Sequence, residues 1–144
     1  MFKKICIIGC GLIGSSLARA IKKNNLEEKI VSSNRSDAVN KKVIELKIVD
    51  DSSPDTKKMA EGSDLVVIAT PLSSYEDVIS KIKNSLKEGV ILTDVGSVKE
   101  NIINLIEKIS QKIFLGFHLT QLLEQKKVDP RQDFLNFLKI GGVF

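Results

Sequence analysis

Residues 4–20, KICIIGCGLIGSSLARA, constrain the fold of this chain more than any other stretch. An apolar, largely β-branched run (Ile5, Cys6, Ile7, Ile8) meets Gly9, Gly11 and Gly14, and helix-compatible residues follow at once. A strand that turns on glycines straight into a helix is the setting in which G-x-G-x-x-G is informative. Gly9 permits the tight turn, Gly11 leaves room for a pyrophosphate beside the backbone, and Gly14 lets helix and strand pack closely. The first-turn amides, at Leu12, Ile13 and Gly14, together with the positive end of the helix dipole, are placed to hold the diphosphate of a dinucleotide.

The rest of the chain alternates strand and helix, which implies a parallel sheet covered on both faces. After a helix over 12–23, residues 29–33 read as the second strand. Asp37 caps a helix running to about 46, and Ile48-Val49 reads as a short third strand. Ser53-Pro54-Asp55 opens a helical turn through Met59 and Ala60, with Pro54 at a tolerated first-turn position. Residues 65–69, LVVIA, form a continuous apolar strand. Ser73 or Ser74 starts a helix to about 86, stopped by Gly89. Residues 90–93 are the fifth strand, 97–109 a helix and 113–115 the sixth strand. The expected architecture is α/β: a single doubly wound parallel sheet of Rossmann type, with ligands at the carboxyl ends of its strands. Asn34-Arg35-Ser36, Ala69-Thr70-Pro71, Asp94-Val95-Gly96-Ser97 and Gly116-Phe117-His118 all fall just after strands.

At 144 residues the chain has room for one domain with a proper core. No apolar run approaches the roughly 20 residues needed to span a bilayer, and no signal-peptide pattern precedes the first strand. A cytoplasmic protein without membrane contact is expected. Two cysteines, Cys6 and Cys10, and a single histidine do not complete a metal site, so the cysteines read as small buried apolar side chains. The net charge of +4 comes from lysines scattered along helices, not interleaved with aromatics, which argues against a nucleic-acid platform.

The end of the second strand normally carries an acid that bonds the adenosine ribose of NAD. Here Asn34 stands in its place. An uncharged amide does not repel a 2′-phosphate, and Arg35 and Ser36 can donate to one. NADP is therefore favoured, with NAD open, because an arginine after this strand also occurs in enzymes that use NAD.

GCGLIGSSLARAIK, DLVVIATPLSSYEDVI, ILTDVGSVKENI and FLGFH, in this order and spacing, resemble the nucleotide-binding domain of prephenate/arogenate dehydrogenases of tyrosine biosynthesis. The resemblance covers about residues 1–118 and implies an NAD(P)-dependent oxidoreductase acting on prephenate or arogenate. It gives His118 the place of the catalytic histidine and Ser97 that of the serine which hydrogen-bonds it. Ala69, Thr70 and Pro71, with Asp94 and Gly96, take the places of loops flanking the nicotinamide and its ribose. By themselves, His118 reads as a polar residue at a strand end and Ser97 as a helix N-cap.

After His118 the resemblance stops. The family continues H-P-I/M-A-G-T-E-x-S-G, whereas this chain reads LTQLLEQKKVDPRQDFLNFLKIGGVF. Back-translation of residues 121–134, read one nucleotide earlier, yields PIAGTEKSGPKAGF, and the remainder admits a peptide of the form FLELFKNRWCI. A dinucleotide-binding domain over 1–118 and a frame-shifted tail over 119–144 are therefore expected, the tail admitting short helices over 120–127 and 131–139. The helical domain that carries the family's substrate pocket and homodimer contacts is absent from this stretch, so the 144-residue chain is expected to be weakly active or inactive. Two other readings stay open: a catalytically inert nucleotide-binding module, and a related NADP-dependent reductase sharing only the fold.

Overall fold

The computed structural model describes residues 2–95 and the backbone of the short strand at 114–115. The elements are β1 (Phe2–Ile8), α1 (Leu12–Lys23), β2 (Glu27–Ser33), α2 (Asp37–Glu45), β3 (Asp51–Ser52), α3 (Thr56–Ala60), β4 (Leu65–Ile68), a 3-10 turn (Leu72–Ser74), α4 (Tyr75–Ile82), β5 (Ile91–Asp94) and β6 (Phe114–Leu115). The strands form one sheet in the order β3-β2-β1-β4-β5-β6, parallel at every pairing. This is the doubly wound Rossmann-type topology, with its reversal between β1 and β4.

Side-chain alternation along the central strands builds two cores. Ile5 and Ile7 of β1, with Leu65 and Val67 of β4, face Leu17, Ala18 and Ile21 of α1 and Val43 of α2. Cys6 and Ile8, with Val66 and Ile68, face Met59 and Ala60 of α3 and Val78, Ile79 and Ile82 of α4. A strand buried on both faces has no polar alternation to show, which is why β4 reads as an unbroken apolar run. Helix α1 buries Gly14, Leu17, Ala18 and Ile21, and α4 buries Tyr75, Val78, Ile79 and Ile82. Both are i, i+3, i+4, i+7 stripes, the single apolar face a covering helix needs.

Several boundaries differ from the sequence expectation. The third strand is Asp51–Ser52, not Ile48-Val49. Those two apolar residues are buried in the α1-side core as loop, whereas the polar pair Asp51 and Ser52 takes up the ladder opposite Val31 and Ser32. Ser36, not Asp37, is the N-cap of α2, and Asp37 lies in its first turn. Asp55 caps α3 by accepting from the Lys58 amide at 3.0 Å, so Pro54 precedes the helix rather than sitting in it. β4 ends at Ile68 and α4 at Ile82; Gly89 has a φ of +76° in the turn before β5. The expected helix over 97–109 and the whole of 119–144 lie outside the described residues.

Both cysteines are buried and free. Burial pushes the Cys6 thiol up to about 12 and raises Cys10 as well, so both remain protonated fillers of the core.

Candidate functional site

Because the strand order reverses between β1 and β4, a crevice opens at their carboxyl ends. It encloses about 390 Å³ between the glycine turn, the segment after β2 and the residues after β4. The three glycines divide the work of building it. Gly9 has a φ of +95°, and a Cβ there would lie 2.8 Å from the Ala69 carbonyl oxygen, so turn and β4 exit meet only if that position is bare. A Cβ on Gly14 would lie 2.2 Å from the Gly9 carbonyl oxygen, so α1 can start this close to the turn only from glycine. Gly11 is different: a Cβ there would meet nothing within 4 Å. Among the described residues its bareness serves no contact, and it leaves space against the backbone.

Gly11 is also the N-cap of α1, with no side-chain cap and no acid in the first turn. α4, by contrast, carries Glu76 and Asp77 in its first turn. The positive end of the α1 dipole thus stands at the crevice without compensation from its own side chains, a ready anion site. Leu12 is 88% exposed and Ile13 45%, so what this turn can offer a ligand at the amide level comes from its backbone.

The segment after β2 forms one wall. Asn34 is buried, its Oδ1 accepting the Cys10 amide at 2.6 Å and its Nδ2 donating to Asn40 Oδ1 at 3.0 Å. Arg35 is exposed and reaches across the crevice, donating from Nη2 to Ser74 Oγ at 3.1 Å. Ser36 is exposed beside it, and its hydroxyl makes no capping bond to α2. Lys81 also borders the crevice, with its ammonium paired to Asp77 at 2.8 Å.

The β4 exit forms the opposite wall. Ala69 is tied to β1 by its amide, which donates to the Ile8 carbonyl at 2.8 Å. The Thr70 hydroxyl is buried without a hydrogen-bond partner, an orphan at the edge of the open space, and Pro71 follows it, exposed. One strand further on, Asp94 is 2% exposed and its Oδ2 accepts from the Tyr75 hydroxyl at 2.9 Å. The bare backbone at Gly11, the uncapped helix and the orphan hydroxyl fit a dinucleotide diphosphate and its adjoining ribose. Gly96, Ser97 and His118 lie outside the described residues.

Sequence reading missed Asn40, Ser74 and Tyr75. Asn40 left a trace, a polar residue on the face of α2 that also buries Val43. Ser74 and Tyr75 find partners 39 and 19 residues away, which no local pattern encodes.

Among the described residues no helix is long and apolar enough to cross a membrane, and no three of His, Cys, Asp or Glu gather where they could hold a metal ion.

Comparison with known proteins agrees with this geometry. The family described as "Prephenate dehydrogenase, nucleotide-binding domain" matches residues 17–119. Prephenate dehydrogenase of Lactococcus lactis subsp. cremoris is 36% identical over 120 residues, covering 81% of this chain and 33% of that protein. Cyclohexadienyl dehydrogenase of Zymomonas mobilis is 34% identical over 107 residues, 74% of this chain and 36% of that protein. The chain thus spans about a third of the length of these relatives. In structure it resembles prephenate dehydrogenase from A. aeolicus, solved in complex with hydroxyphenyl propionate and NAD+ (TM-score 0.73, 19% identity, 99% of this chain and 57% of that one). It also resembles Synechocystis arogenate dehydrogenase (TM-score 0.69, 26% identity, 79% of this chain and 38% of that one). Fold, crevice and sequence kinship together make this chain a member of the prephenate dehydrogenase family, through that family's nucleotide-binding domain.

Proposed function

We propose that the chain is the cofactor-binding part of an oxidoreductase that oxidatively decarboxylates prephenate or arogenate, in tyrosine biosynthesis in the cytoplasm, with NADP preferred over NAD. The observation that carries this reading is the uncapped start of α1 beside the open space at Gly11. The backbone of Gly9, Gly11, Leu12, Ile13 and Gly14 holds the diphosphate, while Thr70, Pro71, Asp94 and Gly96 flank the nicotinamide end. The preference for NADP rests on the absence of a carboxylate at Asn34 and the presence of Arg35 and Ser36 on the same wall.

A bound nicotinamide supplies a hydride acceptor for the hydroxyl-bearing ring carbon of the substrate. His118 takes the hydroxyl proton as a neutral imidazole, and Ser97 orients it. Loss of CO2 from the quaternary carbon then makes the ring aromatic, which drives the reaction. The relatives' remaining length is where the family resemblance places substrate discrimination and a homodimer contact. These 144 residues are accordingly assigned dinucleotide binding, with turnover by them alone left to the assay below. Residues 119–144 are read as a frame-shifted tail because the family's motif is recovered in the neighbouring frame.

Isothermal titration with NADP+ and NAD+ tests the core of this reading: binding of both with NADP+ tighter is expected, and binding of neither overturns it. Tighter NAD+ binding removes the NADP preference alone. Steady NADPH production from prephenate by the 144-residue chain would overturn the expectation that it is weakly active or inactive. A gene whose codons after His118 do not give PIAGTEKSG in the neighbouring frame ends the frame-shift reading.

A further inference from the structure

The two neighbours Asn34 and Arg35 stand at the same wall but are wired to opposite sides of it. We infer that Asn34 is a positioning residue that braces the glycine turn and does not read the ribose, while Arg35, steadied by Ser74, carries the discrimination between dinucleotides. The inference rests on the dinucleotide-binding reading above and deepens it.

The Asn34 amide is engaged within the chain on both its sides. Its oxygen accepts the Cys10 amide at 2.6 Å, inside the glycine turn and 24 residues away in sequence. Its two protons are shared among Asn40 Oδ1 at 3.0 Å and the Ser32 and Ser52 hydroxyls, each at 3.3 Å. Asn40 closes the loop, donating to the Asn34 carbonyl at 2.9 Å and accepting from Ser52 Oγ at 2.6 Å. All of these groups are buried or partly buried, where a hydrogen bond left unmade is costly. Turning the Asn34 amide toward a ligand would strand the Cys10 amide and leave Asn40 Oδ1 with Ser52 alone. A carboxylate in its place would keep the Cys10 acceptor but set oxygen against oxygen at Asn40, so this wall is built for an amide. The Arg35 guanidinium has the converse arrangement. It is exposed at the crevice, with one bond, to a serine hydroxyl on the far wall that is itself buried. That bond holds a cation over the opening and leaves its other donors for a phosphate.

The two roles separate in titrations of the full chain with NAD+ and NADP+. Asn34→Ala is expected to weaken both dinucleotides by the same factor, about tenfold, the size of one lost charge-free brace plus a loosened turn. Asn40→Ala, at a side chain behind the crevice wall, is expected to reproduce that joint loss more mildly. Arg35→Gln is expected to change the ratio between the two dinucleotides by about tenfold against NADP+. Ser74→Ala is expected to move the ratio in the same direction by about threefold. The Cys10 amide supplies a readout independent of ligand: protected from hydrogen exchange in the unaltered chain, it should exchange faster in Asn34→Ala and Asn40→Ala. An Asn34→Ala variant that shifts the NADP+/NAD+ ratio tenfold overturns the inference, as does an Arg35→Gln variant that weakens both equally. If the unaltered chain binds neither dinucleotide, the proposed function fails, and an unprotected Cys10 amide would then overturn the brace separately.

Discussion

The two ends of this sheet are finished in opposite ways. At the amino ends of β3 and β4, acids are matched inside the chain. Asp64 accepts the Lys3 amide at 2.6 Å and the Lys4 amide at 3.1 Å with one oxygen, and pairs with the Lys87 ammonium through the other. Asp50 repeats the device, accepting the Ile30 amide at 2.8 Å and pairing with Lys22 at 2.7 Å. At the carboxyl ends, beside the completed networks of Asn34 and Asp94, the chain leaves open an uncapped helix, a bare glycine backbone and the unpartnered Thr70 hydroxyl. One end uses its charges to fix the strands, and the other reserves its dipoles for something outside the chain. The contrast teaches where to look for function in such a sheet: where an uncapped helix and bare backbone face open space, since an orphan side-chain oxygen alone also occurs at the amino end, at Ser63 and Glu27.

The sharpest way to break this contrast lies within the glycine turn itself. Gly14→Val is expected to lower stability by about 3 kcal/mol or more in urea unfolding, because the new atoms run into backbone that cannot move aside. Gly11→Ala is expected to cost no more than about 1 kcal/mol, yet to reduce dinucleotide affinity more than tenfold by titration. Equal stability losses at the two positions would erase the distinction between packing and ligand-facing glycines. At the other end, Asp64→Asn should cost about 1–2 kcal/mol, a charged bond discounted for partial exposure, with dinucleotide affinity unchanged within about twofold.

The same acids give a pH signature. Burial alone would raise Asp64 and Asp50, but the Lys87 and Lys22 ammonium groups and the strand amides outweigh it and hold both carboxyls below their ordinary value. Their contribution is therefore complete above the ordinary carboxylate range and is lost as the pH falls through their depressed values. Glu27 opposes them: burial first, then the Asp50 charge, raises it, so its ionised form costs stability above its folded pKa and is relieved as the pH drops. Unfolding free energies measured through the acid range should fall less steeply in Asp64→Asn than in the unaltered chain. The smallest effect belongs to the exposed pair Lys81–Asp77 on α4, where Lys81→Ala should change stability by less than about 0.5 kcal/mol.

Much of the fold was legible because period and punctuation agreed. The bounds of α1 could be read as 12–23 because glycines start it and its apolar stripe repeats at 14, 17, 18 and 21 before two lysines and Asn24 end it. The third strand was not legible. Ile48 and Val49 look like a strand because they are apolar, but burial and pairing fall on different residues here. The ladder goes to Asp51 and Ser52, whose hydroxyl meets that of Ser32 at 2.7 Å. At the site, the turn at Gly9 and the close approach at Gly14 could be read from spacing, because both concern backbone within a few residues, whereas the contact of Gly9 with Ala69 could not. The direction of the Asn34 amide could not be read, since it is set by Cys10 and Asn40, and only folding brings those together.

The fit of Gly14 against the Gly9 carbonyl bears on how this turn could be transplanted. Gly14 tolerates no side chain while the Gly9 carbonyl stays where it is, and Gly9 tolerates none while the β4 exit at Ala69 and Thr70 does. A designer grafting the loop onto a foreign sheet must carry strand exit, turn and first helical residues as one cassette.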